Sequence, residues 1–172
     1  MKKVVLSERQ QFIGNILAFQ ATWATCVLGG SFAALLLLPA LLAWHSLLLK
    51  RHEWRLILVF VGVGIVLDTL LMQGQWLRFD DHHSPLIPIW LMVLWIGFAT
   101  TLRHSLLGLW SRPWLAVALG LIGAPWSYWA GSRLGALSID GAGLWLIAAA
   151  WAVLMLAMAG YWRWQHTRGV AL

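Results

Sequence analysis

FIGNILAFQATWATCVLGGSFAALLLLPALLAWHSLLL, from Phe12 to Leu49, runs without a single Asp, Glu, Lys or Arg. As one α-helix at about 1.5 Å per residue it would be nearly twice as long as the roughly 30 Å hydrocarbon core of a bilayer is thick. Gly29-Gly30-Ser31 at its middle is the natural place to turn, so the stretch reads as two spans, about 12–29 and 31–49, with Pro39 the only interruption of the second.

The rest of the chain repeats this pattern. Of 172 residues, 61% are hydrophobic and 10% charged, and the mean hydropathy is +0.77. A water-soluble domain has nowhere to bury that much apolar surface. Further apolar stretches at about 56–73, 86–105, 114–131 and 143–162 bring the expected spans to six. The fold class expected is all-α: one polytopic transmembrane helical bundle over residues 1–172. The single cysteine, Cys26, lies inside a span and excludes a disulfide scaffold. A secretory peptide would need a small-residue cleavage site, and Trp-Ala-Thr-Cys at 23–26 makes a poor lipoprotein site because Trp23 stands where a small aliphatic is expected, so the first span is expected to be retained.

The positive charge sets topology. A net charge of +6 could suggest nucleic acid, but the basic residues are scattered between apolar stretches and form no phosphate-binding run. Lys2, Lys3 and Arg9 precede span one, Lys50, Arg51 and Arg55 lie between spans two and three, Arg103 and Arg112 follow span four, and Arg163 and Arg168 follow span six. Only Arg78 and Arg133 fall on the other side. Cytoplasmic loops retain Lys and Arg, so six spans with both termini in the cytoplasm is the expected topology. Most of the 14 tryptophans fall near span ends, as an interfacial aromatic belt requires; Trp95 and Trp151 lie deeper and are expected to pack.

Chemistry in such a chain should come from polar groups at membrane depth. Asp68 is the one acidic residue expected inside a span, the other five being placed in loops or tails. A buried carboxylate there should face the bundle, with Ser127 and Tyr128 of span five at its level and Arg133 able to reach down to it. Gly64, one turn earlier, permits close helix approach. Asp68 reads either as an acid in an outward-facing site or as an interhelical tether. A second layer comprises Asn15, His45, Thr100, Thr101, Arg103 and His104. It reads either as a seat for an anionic head group or as hydrogen bonding between helices.

Metal and cofactor sites are not expected. His45 and His104 show no HxxxH or HxxE spacing, and Asp80-Asp81-His82-His83 reads as a solvated loop. No glycine-rich phosphate loop, nucleophile elbow or Cys-x-x-Cys pair is present, and no complete catalytic set is visible. Gly120, Ala124, Ser127, Gly131 and Gly135 form a small-residue stripe on span five, where Pro125 predicts a kink. Span six, with no polar side chain from Gly143 to Tyr161, is expected against lipid or a partner subunit.

Several strings resemble a family of small inner-membrane proteins of Gram-negative bacteria grouped as a domain of unknown function. They are Asn15 with Trp23 and Cys26, Gly64-x-x-x-Asp68-x-Leu-Leu, Leu94-Trp-x-x-Phe-Ala-Thr-Thr-Leu102 with Ser105, and Gly123-Ala-Pro-x-x-Tyr-x-Ala-Gly-x-Arg-Leu-Gly-Ala136. This chain departs from the pattern at Trp126, where a Leu is usual, and at Arg103, where a polar residue such as Asn is usual. The resemblance implies the inner membrane and an association with enzymes that modify membrane fatty acids. The expected role is therefore an accessory to lipid modification, with membrane lipids, a lipid-modifying enzyme or a second copy of the chain as partners. A structural or assembly subunit and a small transporter are the alternatives. The candidate ligand-binding residues are Asp68, Arg133, Ser127, Thr100, Thr101, His104 and Asn15.

Overall fold

The computed structural model describes residues 7–48, 53–80 and 82–167. Lys2, Lys3, Lys50, Arg51, Asp81 and Arg168, which figure in the charge and loop readings above, lie outside them. The architecture is all-helical: α1 (Glu8–Leu48), α2 (Glu53–Gln73), α3 (Ile89–Ala99), α4 (Pro113–Arg133) and α5 (Gly143–Thr167), with a 3-10 turn at Leu107–Leu109. Three of these, α1, α2 and α5, are long and apolar enough to cross a membrane.

Helix α1 is two arms. At Gly30 the backbone leaves the helical region for φ 62, ψ −159, a conformation that is nearly exclusive to glycine. The arms, 8–29 and 31–48, then run back along each other. A Cβ placed on Gly14 would lie 2.7 Å from the Trp44 ring, whereas a straight helix would separate residues 14 and 44 by about 45 Å. The turn read from Gly29-Gly30-Ser31 is therefore present, and Ser31 Oγ accepts a hydrogen bond from the Trp90 amide at the start of α3 (3.4 Å).

The fourth helix is shorter than the 86–105 expected. Helix α3 stops at Ala99 and the chain continues in turns through residue 106. The cause is local: Thr100 Oγ1 donates to the Gly97 carbonyl (2.7 Å) and Thr101 Oγ1 to the Phe98 carbonyl (2.6 Å), while the amides of Thr101 and Leu102 reach back three residues instead of four. Two adjacent threonines thus offer the backbone other partners than the helix ladder does. Gly97, Thr101, His104 and Gly108, spaced in the sequence for one helical face, do not share one, because the helix ends before three of them.

The contacts resolve into two units. One gathers the described residues up to Val61 with Ile89–Leu107; the other gathers Gly62–Pro88 with the described residues from Gly108 onward. In the first, α1 packs on α3, and the approach is close: a Cβ on Gly97 would meet Thr22 Cγ2 at 2.8 Å. Phe19 of α1 meets Phe98 edge-on, Phe98 stacks on Phe60 of α2, and Phe60 leans on Trp95, joining three helices through one aromatic file.

In the second unit α4 packs on α5. The small-residue stripe is part of its contact face: Gly120, Ala124 and Gly131 are buried with Ala116 and Tyr128, and α5 buries Ile147, Trp151, Met155 and Ala159, whereas Ser127 is half-buried and Gly135 is exposed beyond the end of α4. A Cβ on Gly120 would sit 2.6 Å from the Trp151 carbonyl oxygen, so only glycine fits there. Helix α5 is therefore more than a lipid-facing span: it has a packed face and an outer face. Helix α4 is one continuous element through Pro125. The two long loops of this unit are tied together by an antiparallel ribbon that the sequence does not suggest, β1 (Leu77–Arg78) on β2 (Ser138–Ile139), closed by an Arg78–Asp140 ion pair of 2.6 Å.

The outer faces are apolar. On α2, Ile57, Phe60, Gly64, Asp68 and Leu71 turn inward, while Leu58, Val59, Val66 and Leu70 are each at least 59% exposed. A helix in water turns polar side chains outward; an aliphatic exterior, with the one carboxylate of the helix's middle turned inward, suits a hydrocarbon solvent. Trp110, expected in the interfacial belt, is instead fully buried.

Candidate functional site

Two groups of polar side chains are buried, one in each unit. In the second unit Asp68 is fully buried on α2, and Tyr128 of α4 donates its hydroxyl to the carboxylate, 2.6 Å from one oxygen and 2.8 Å from the other. Asp68 is thus held by Tyr128, while Arg133, expected to reach down to it, is exposed at the last residue of α4. Ser127, on the neighbouring face, is half-buried. Thr69, next to Asp68, accepts a bond from the Ile87 amide (3.4 Å).

In the first unit the broken end of α3 is held by Asn15. Its Nδ2 donates to the Thr100 carbonyl (3.1 Å), and its Oδ1 accepts from both the amide (3.3 Å) and the hydroxyl (2.6 Å) of Ser105. Asn15, Thr100, Thr101 and Arg103 are all buried. One side chain on α1 thereby satisfies backbone groups that the lost helical turns leave open, and irregular backbone of this kind is tolerated at membrane depth only when protein covers it. Of the predicted candidates, Asn15, Thr100 and Thr101 are brought together here as the clasp of a turn.

That turn delivers His104 to a place the sequence does not announce. Glu53, read above as a loop residue, is the first residue of α2 and only 1% exposed. His104 Nε2 lies 2.9 Å from Glu53 Oε1, and His45 Nε2, from the second arm of α1, lies 3.7 Å from the same oxygen. The two imidazoles stand perpendicular with centroids 5.3 Å apart, and Trp54 closes on His45 edge-first. The donor atoms of the three residues all lie within 4.8 Å of one another, and theirs is the one such His/Cys/Asp/Glu group among the described residues. His82 and His83 of the Asp80-to-His83 run do not join one; His82 contacts the Leu86 carbonyl instead (2.6 Å).

The three residues are far apart in sequence and sit on three segments, so no spacing motif could reveal them. They meet because α1 reverses at Gly30, α2 starts beside its end, and α3 breaks at Thr100. The signal available beforehand was weaker: His45, Glu53 and His104 all fall on the side to which charge counting assigns the loops.

The chain belongs to a family of proteins of unknown function, DUF2878. Its model matches residues 12–157, covering Asn15, His45, Glu53, Asp68, His104 and Tyr128 alike. No curated protein and no solved structure matches the chain.

Proposed function

We propose that this DUF2878 protein is a six-span integral protein of the bacterial inner membrane, with both termini cytoplasmic, that serves membrane-lipid or fatty-acid modification as an accessory. The observation that carries the reading is the His45–Glu53–His104 centre, with side chains 0%, 1% and 3% exposed, inside helices whose outer faces are aliphatic. Ionisable groups buried in a membrane protein are costly to keep, and function is the default reason for their presence. A purely structural subunit needs no such centre.

The packing supports the topology within each unit. Asn15 near the start of α1, the residues flanking 49–52, and the turn after α3 gather at one end of the first unit, and all are assigned to the cytoplasm by their neighbouring charges. The loops holding Arg78 and Asp140, assigned outside, are paired in the ribbon of the second. Asp68, Ser127 and Arg133 then belong toward the outer side, and Asn15, Thr100, Thr101 and His104 toward the inner.

The test is the lipid profile of a strain lacking the gene, measured where the protein is expressed. The reading expects an altered proportion of modified fatty acids, restored by the wild-type chain and not by Glu53→Gln. An unchanged profile rejects the lipid role.

A further inference from the structure

His45 is completely buried, yet neither of its ring nitrogens has a hydrogen-bond partner among the described residues. His104 Nε2 approaches Glu53 Oε1 to 2.9 Å without meeting the angular requirement for a hydrogen bond. An imidazole that served only to pair with the carboxylate would point its N–H along that line. Leaving buried ring nitrogens unsatisfied is unfavourable, and those of His45 and His104, both turned toward the Glu53 carboxylate, call for a common partner.

From these contacts we propose that His45, Glu53 and His104 form a binding site for one divalent first-row transition cation. Two imidazoles and one carboxylate are the donor set of many zinc and non-haem iron centres. Around an ion about 2.0–2.2 Å from each donor, adjacent donor atoms lie about 3 Å apart in octahedral and about 3.5 Å apart in tetrahedral geometry. The observed separations from Glu53 Oε1, 2.9 Å and 3.7 Å, bracket that range. A carboxylate supplies one negative charge against the two of the cation, and burial beside Trp54 shields the site from water, which strengthens the attraction. Three protein donors leave a coordination position open for water or a further ligand, the arrangement of reactive rather than closed structural sites. The site stands on its own geometry and does not depend on the lipid role.

Co2+ is the probe, because its visible absorption reports coordination. The full-length protein, purified in detergent without a polyhistidine tag and stripped with chelator, is titrated with Co2+ and then back-titrated with Zn2+. The site predicts one saturable equivalent per chain, displaced by Zn2+, with affinity reduced at least tenfold in His45→Gln, Glu53→Gln and His104→Gln. His82→Asn/His83→Asn, outside the centre, should bind as wild type does. Absence of saturable binding, affinity unchanged in Glu53→Gln, or binding lost with His82 and His83 instead, would overturn the proposal. Should a variant fail to fold, the wild-type melting temperature decides: a rise with Co2+ that chelator reverses supports the site, and no rise contradicts it. Because these readouts use purified protein, failure here is distinguishable from an unchanged lipid profile in the deletion strain.

Discussion

Tyr128 donates to both oxygens of Asp68, so the hydroxyl and the carboxylate support each other's burial in an apolar interior. Removing the donor alone leaves the acid with less satisfaction than removing its charge does. Tyr128→Phe is therefore expected to cost about 1–3 kcal/mol, and Asp68→Asn, which keeps an acceptor for the hydroxyl, less. Thermal denaturation in detergent measures both; the reverse order would mean that Tyr128 is not what holds Asp68. At Asn15 three hydrogen bonds converge on one side chain. Asn15→Leu matches it in size but abandons the Thr100 carbonyl and the Ser105 amide, and its loss of melting temperature should exceed that of Thr101→Val. The Thr101 hydroxyl bonds only within its own turn.

Among the helices, one turn and one close approach carry the packing. At Gly30 any side chain faces a backbone conformation open in practice to glycine alone, and Gly30→Ala should destabilise by about 1–3 kcal/mol. Gly120→Val places atoms against the Trp151 backbone and should destabilise by a similar amount; Gly160→Ala, where a Cβ meets nothing within 4 Å, should not. Equal melting temperatures for the two variants would contradict the α4–α5 contact. The turn at Gly29-Gly30-Ser31 and much of the stripe on α4 were legible in the sequence, because glycine admits a turn closed to other residues and small residues announce close backbone. The end of α3 was not, because nothing from Ile89 to Leu102 is charged or a proline, so no stop signal precedes Arg103. What stops it is side-chain competition by Thr100 and Thr101 together with a partner on α1, and only the folded chain brings Asn15 there. The β1–β2 ribbon, two residues a side, is too short to leave a periodic trace.

At the scale of the molecule, apolar runs and charge asymmetry led to an all-helical membrane protein, since both follow from the solvent. The centre of chemical interest did not emerge so readily: Asp68 stood out as a charge inside a span, whereas Glu53 sits at a helix start and looked solvated. A carboxylate is favoured at that position by the helix dipole, which helps it bear its burial. The proposed topology assigns the segments carrying His45, Glu53 and His104 to the cytoplasmic side and the loops carrying Arg78 and Asp140 to the outer side. Paired alkaline phosphatase and fluorescent-protein fusions at Arg51, Asp81, Arg112, Arg133 and the C-terminus test it most directly. Fluorescence at Arg51, Arg112 and the C-terminus, with phosphatase activity at Asp81 and Arg133, is the predicted pattern. Arg51 and Arg112 on opposite sides of the membrane, or a periplasmic C-terminus, would contradict it.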